Sequence, residues 1–225
     1  MIRYLLKRRC IIGRIEETPL SAAILAGGKS SRMGMDKALL SLGLEQPPLL
    51  EQTRDHARAI ADDVFVVATD RPSYERFGMR IVPDAFPEGG TLGAIATALR
   101  HARSDYCLVL ACDLPFLNLA LLRWMVQFPR TYDVLVPRTI GDSRQGAGLI
   151  HHTLHAIYSR RCQPAIVDQL ESGRRQIIGF FDKVRVQAID EPELRQFDPD
   201  LRSFFNANTP EALEQARFWA AELEA

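Results

Sequence analysis

Short, unbroken apolar runs alternate along this chain with longer segments whose apolar residues recur at helical spacing. Residues 22–26 have no polar face, the pattern of a central parallel strand covered on both sides. Helical spacing over 49–61 leads into a second strand at 64–68, a short helix at 72–77 and a third strand at 79–82. A helix at 91–102, a strand at 106–111, a helix at 119–128 and a strand at 132–136 follow. The remainder predicts a strand at 154–158, then a helix with Pro164 in its first turn and Gly173 at its exit, then a strand at 184–189. Pro210 opens a last helix from Thr209, with Leu213, Ala216, Ala220 and Leu223 on its inner face. This alternation predicts an α/β three-layer sandwich with a mixed, mainly parallel central sheet of about seven strands. Residues 19–225 read as a single domain and 1–18 as an N-terminal extension.

Charge changes the picture by exclusion. Lys+Arg and Asp+Glu number 28 each in 225 residues, so no net field draws the chain to nucleic acid or to a membrane. No apolar stretch approaches the roughly 20 residues of a membrane span. Lys7, Arg8, Arg9 and Arg14 interrupt the N-terminal apolar residues, which suits a solvated extension better than a signal peptide. A membrane-touching amphipathic segment is the sharper alternative there. Of the cysteines Cys10, Cys107, Cys112 and Cys162, none forms a C-x-x-C pair, and Cys107 and Cys112 sit in an apolar segment. Buried reduced thiols, and hence a cytoplasmic location, are expected.

The first strand runs into the most informative stretch. Leu25 and Ala26 are followed by Gly27 and Gly28, and then by the cations Arg32 and Lys37. Paired glycines let backbone amides approach a ligand closely, and successive loop N–H groups form a concave anion site. Arg32 offers a planar fork for phosphate oxygens and Lys37 a mobile point charge. A phosphate-rich ligand at this strand end is therefore expected. The loop is not a Walker A, whose first glycine would fall at Ala23 inside the strand, and no G-x-G-x-x-G follows. An ordinary turn with solvated charges is the rival reading.

Three further places carry candidate chemistry. Asp113 ends the buried strand at 106–111, where a carboxylate points into the ligand crevice of an α/β sheet. Magnesium bridging nucleotide phosphates is held by one or two such carboxylates, although Asp113 before Pro115 also suits a turn cap. Asp84 ends the third strand, placed either to bond a base edge or ribose or to cap a turn, ahead of a second glycine cluster, Gly89, Gly90 and Gly93, expected to bring backbone close to a ligand. Asn206 and Asn208, one residue apart before the last helix, can bridge phosphate, water and metal ligands, or serve as scaffold. Thr209 reads as that helix's N-cap.

The runs Leu25-Ala26-Gly27-Gly28, Arg32-Met33-Gly34 and Asp36-Lys37 resemble the signature of molybdenum cofactor guanylyltransferases. More widely they resemble nucleotidyltransferases of the glycosyltransferase-A-like, nucleotide-diphospho-sugar-transferase-like fold. The resemblance covers about 21–216 and includes Asp113-Leu114-Pro115 and Phe205-Asn206-Ala207-Asn208-Thr209-Pro210-Glu211. It implies transfer of GMP from magnesium-GTP to the terminal phosphate of molybdopterin cofactor, releasing pyrophosphate. It further implies Arg32, Lys37 and Asp113 as catalytic residues and Asp113 as the magnesium ligand. Leu25, Ala26, Gly27, Gly28, Lys37, Ala68, Asp84, Gly90, Asp113, Asn206 and Asn208 would then line the substrate site. Molybdoenzymes or their chaperones would receive the product.

Three departures stand out. Thr91 replaces a proline usual in the second glycine run, and Ala68 stands where some members carry an asparagine, so any nucleotide contact there is through backbone or packing. His152-Thr153 replaces a common Q-P ahead of Leu154-His155-Ala156-Ile157-Tyr158-Ser159, in the region expected to face the second substrate. Read as one extended segment, His151 and His155 lie about 13 Å apart at roughly 3.3 Å per residue, too far to share an ion. Alternatives within the chemistry are cytidylyl transfer to the same cofactor or a sugar-phosphate nucleotidyltransferase, both more often with L-A-A-G. Gly27 in place of that alanine leaves room for a purine. A non-catalytic cofactor chaperone is the alternative of a different class.

Overall fold

A computed structural model gives the fold and describes residues 19–26, 36–68, 72–143 and 146–224. The chain runs through β1 (Leu20–Leu25), α1 (Leu49–Arg58), β2 (Asp63–Val67), β3 (Arg80–Val82), α2 (Gly90–His101) and β4 (Tyr106–Ala111). It continues through α3 (Leu119–Val126), β5 (Val134–Ser143), β6 (Gly146–His151) and β7 (His155–Ser159). The last elements are α4 (Gln163–Glu171), β8 (Val186–Asp190), α5 (Glu191–Leu194) and α6 (Pro210–Glu224).

The strands form one sheet in the order β3-β2-β1-β4-β7-β5-β6, with β8 also paired to β5. Pairing is parallel across β1–β2, β1–β4, β2–β3 and β5–β8, and antiparallel across β4–β7, β5–β7 and β5–β6. The mixed, mainly parallel α/β sheet is the one expected.

Side-chain alternation along β1 explains its lack of a polar face. Ala23 and Leu25 enter one core layer with α2 residues such as Ile95 and Leu99. Leu20 and Ala22 enter the opposite layer with Leu121 and Met125 of α3, and Ile24 packs with Leu50 of α1. Apolar positions on both faces leave no room for a polar stripe. Three layers result.

The chain builds outward from β1 to β2 and β3, then returns to lay β4 on the other side of β1. The carboxyl ends of β1 and β4 therefore diverge at a topological switch point, the place where open α/β sheets leave a crevice. Among the described residues no helix is long and apolar enough to cross a membrane.

Two sequence expectations need correction. The sheet has eight strands, because β5 extends to Ser143 and folds back as β6 in a hairpin. That hairpin exposes Ile140, Leu149 and Ile150, so its pattern lacks the inward–outward alternation that announces a strand. Residues 151–155 are not extended: the chain turns between β6 and β7, and the His155 N–H reaches the His152 carbonyl at 3.0 Å. The closeness of these histidines is thus set by a turn, not by strand rise.

Candidate functional site

The crevice is assembled from the ends of β1 and β4. Leu25 accepts a hydrogen bond from the Cys112 N–H at 3.3 Å, and the Ala26 N–H donates to Val67 at 3.1 Å. Sheet pairing thus continues past both strand ends and fixes where the next residues leave. Ala68 is fully buried, with its N–H spent on the Val82 carbonyl at 3.0 Å. Gly27, Gly28 and Arg32 lie outside the described residues.

Asp36 begins the next described stretch. Its carboxylate accepts the Ala38 N–H at 3.2 Å, capping the short helix Lys37–Leu39. The Tyr74 hydroxyl lies 2.9 and 2.8 Å from its two oxygens and 3.4 Å from the Ala26 carbonyl. Tyr74, fully buried, therefore ties this helix back to the end of β1. Sequence reasoning missed this residue, because a tyrosine in a short helix carries no local signal of so distant a partner.

Lys37, presented by that helix, donates from Nζ to the Asn208 carbonyl at 2.7 Å. The Asn206 side chain lies beside the Asp113 carboxylate and favours its charged form. The neighbouring Ala207 N–H donates to the Asp113 carbonyl at 2.9 Å. Lys37, Asp113, Asn206 and Asn208, far apart in sequence, thus form one cluster. Asn208 joins it through its backbone.

Aromatic packing holds the two segments together. Phe116, just after Asp113, and Phe205, just before Asn206, have ring centroids 6.4 Å apart. Trp219 of α6 lies 5.8 Å from Phe116 and 4.8 Å from Phe205. Ala207 is buried with Leu213 and Ala216, so the residue between the two asparagines is the one that enters the core. The Thr209 hydroxyl accepts the Ala212 N–H at 3.1 Å, the expected N-cap of α6.

Burial pushes the Asp113 carboxyl above the usual carboxylate range, while Lys37, then its own backbone and the neighbouring Asn206 amide, oppose the shift. A half-buried carboxylate strained toward its neutral form favours a nearby cation. Among the described residues no group of three or more His, Cys, Asp or Glu forms a protein cage for a metal. One carboxylate beside a lysine instead suits magnesium that retains water and phosphate ligands. Cys112, next in sequence, is buried, and desolvation holds its thiol far above the ordinary value, so it is no nucleophile.

Asp84 and Gly90 lie at the junction of β3 and α2, joined to this cluster by no hydrogen bond or ion pair among the described residues. Asp84 Oδ1 accepts the Phe86 N–H at 2.9 Å and the Thr97 hydroxyl at 2.7 Å, so the turn occupies that oxygen. Gly90 is exposed and adopts φ +58°, a conformation that favours glycine. Gly93, which the sequence suggested as a ligand-approach glycine, has a different reason. A Cβ there would lie 2.2 Å from the Phe86 carbonyl oxygen. His152 stacks on Phe204 with centroids 4.1 Å apart and has Nε2 2.8 Å from the Thr139 hydroxyl.

Comparison with known proteins identifies the family. The family described as the MobA-like NTP transferase domain matches residues 22–186. A probable molybdenum cofactor guanylyltransferase of Pelotomaculum thermopropionicum is 37% identical over 89% of this chain and 93% of its own length. A molybdenum cofactor guanylyltransferase of Desulfosudis oleivorans is 34% identical over 88% of this chain and 94% of its own. The solved structure of molybdopterin-guanine dinucleotide biosynthesis protein A from Archaeoglobus fulgidus aligns with a TM-score of 0.74 and 26% identity, covering 90% of this chain and 99% of that one. The chain belongs to the MobA-like NTP transferase family, the family of these guanylyltransferase relatives.

Proposed function

We propose that this protein transfers GMP from GTP to the terminal phosphate of molybdopterin cofactor, forming the guanine dinucleotide cofactor and releasing pyrophosphate. The observation that carries this reading is the meeting of Lys37, Asp113 and Asn206 at the β1–β4 switch point, in a chain of this family.

The chemistry needs little from the protein beyond alignment and charge. A phosphate oxygen of the acceptor is already anionic and attacks the α-phosphorus of GTP. The bond from that phosphorus to the β-phosphate oxygen breaks, and its electron pair leaves with pyrophosphate. Lys37 sits where it can neutralise charge growing on the phosphates, held in place by the Asn208 carbonyl. Arg32 and the amides of Gly27 and Gly28 are assigned to the leaving pyrophosphate by their chemistry. Magnesium accompanying the nucleotide would be held by Asp113 and would supply further neutralisation of the phosphates.

Residues 19–225 are assigned as the catalytic domain and 1–18 as an extension, in keeping with a family match that starts at residue 22. A cytoplasmic location is assigned, in keeping with the free, buried thiols of Cys107, Cys112 and Cys162, which suit a reducing medium. Molybdoenzymes or their chaperones are the natural receivers of the product. Titrations of GTP, CTP and UTP side by side test the base assignment. GTP is expected to bind most tightly, and tighter CTP binding would move the chain to cytidylyl transfer.

A further inference from the structure

The Tyr74 hydroxyl reaches both residues that flank the glycine loop. Ala26 precedes residues 27–35 and offers its carbonyl at 3.4 Å, and Asp36 follows them with its two carboxylate oxygens at 2.9 and 2.8 Å. The tyrosine ring is fully buried among Ala26, Ala38, Leu50, Ala68 and Phe77, so the phenol cannot turn to water. A buried tyrosine hydroxyl takes a polar partner, and a carboxylate is a stronger acceptor than a carbonyl.

The other contacts of Asp36 show what this bond holds. Asp36 Oδ1 also accepts the Ala38 N–H at 3.2 Å, and the Asp36 carbonyl accepts the Leu39 N–H at 3.0 Å. Asp36 therefore starts the turn Lys37–Leu39 that carries the lysine, and buried Ala38 seats that turn in the core. Lysine is a point charge on a flexible four-carbon stem, so its position at reacting phosphates depends on where the stem begins. The Asn208 carbonyl holds the Lys37 ammonium at 2.7 Å, and Asp36 with Tyr74 holds the root.

Burial first, then Asp113 and then Asp36 push the Cys112 thiol up, so both carboxylates lie at this end of the crevice. They are not equivalent. Asp36 is committed to Tyr74 and to its own turn, whereas Asp113 lies beside Lys37 and Asn206. A magnesium ion that keeps water and phosphate ligands needs only one or two protein carboxylates.

We propose that Tyr74 is a positioning residue for the transfer reaction, acting through the Asp36 carboxylate to fix the turn from which Lys37 reaches the phosphates. Asp36 is the link in this chain and not a magnesium ligand. The assignment rests on the guanylyl-transfer reading above.

A double-mutant cycle tests it, with a second readout that needs no turnover. Tyr74→Phe removes only the hydroxyl. It should lower kcat by roughly tenfold, part of the hundredfold or so expected for removing Lys37 itself, and leave GTP affinity within about threefold. In a Lys37→Ala background the same change should cost nothing further, because the two residues act as one unit. Asp36→Asn keeps Oδ1 as acceptor for both bonds and should retain most of the rate. Asp36→Ala should match Tyr74→Phe, and reads the same question should the phenylalanine variant misfold. The lysines are Lys7, Lys29, Lys37 and Lys183, few enough for the Lys37 side-chain signal to be followed by NMR in lysine-labelled protein. Tyr74→Phe should shift that signal and leave that of Lys183 in place. Additive losses in the cycle, an unshifted Lys37 signal or a normal kcat in folded Tyr74→Phe would overturn the role. A loss in Asp36→Asn as deep as that in Asp113→Asn would make Asp36 a metal ligand and overturn the link. A shifted Lys37 signal in a protein that transfers no guanylyl group would leave the positioning standing and remove the reaction.

Discussion

The Ala207 N–H donates to the Asp113 carbonyl at 2.9 Å, which sets the Asn206 side chain beside the Asp113 carboxylate. The segment before α6 is thereby registered against the end of β4. The same segment reaches Lys37 through the Asn208 carbonyl at 2.7 Å. One short stretch of chain thus sets the spacing between the carboxylate and the lysine.

Asp113→Asn should fold normally and lose turnover by roughly a hundredfold or more, since an amide is a poor magnesium ligand beside anionic phosphates. Steady-state pyrophosphate release with circular dichroism as the fold control checks this. Near-normal turnover at ordinary magnesium would take Asp113 out of the metal site.

Lys37→Ala should slow transfer by roughly a hundredfold, the usual cost of removing one preorganised charge stabiliser. Arg32→Ala is expected to behave alike. Single-turnover kinetics at saturating GTP isolate the chemical step. A normal rate in either variant would make that residue a surface charge.

Gly93→Ala tests the packing reading of the second glycine run. Its Cβ would meet the Phe86 carbonyl oxygen at 2.2 Å, and backbone cannot yield cheaply. The expected loss is about 1–3 kcal/mol, seen as a Tm lowered by ~2–4 °C per kcal/mol. Helix propensity alone would favour alanine by about 1 kcal/mol. A raised Tm would show that the helix shifts away and the glycine is not required.

Stability should fall as pH drops below the ordinary histidine range. Burial, and then a neighbouring histidine in each case, holds His152 down to about 4 and His155 to about 3. An unfolded histidine titrates near 6.5, so below about that pH the unfolded chain binds protons that the folded chain refuses. The stability is present in full above that value and lost toward the folded pKa values. Thermal unfolding between neutral and mildly acid pH should show this, with a shallower fall in His155→Phe. An identical slope in the variant would mean His155 does not contribute.

The end of β1, the end of β4 at Asp113 and the start of the last helix were legible in sequence because each follows a recognisable local pattern: an apolar run that stops, or a cap and proline ahead of helical spacing. What stayed hidden depends on distant partners. Nothing around Tyr74 announces its bond to Asp36, and nothing around His155 announces its packing against Phe204. The β5–β6 hairpin escaped because both faces of its outer strand lack the usual contrast of burial. Gly93 was legible as a constraint but not as to its cause, since a ligand and a carbonyl both demand the missing Cβ.

The most direct measurement is pyrophosphate release by the purified protein given magnesium, GTP and molybdopterin cofactor, with the product identified by mass. Release should require both substrates and match formation of the guanine dinucleotide cofactor one for one, and CTP should support it roughly tenfold less well or worse. Release without the acceptor, or a preference for CTP, would contradict guanylyl transfer to this cofactor.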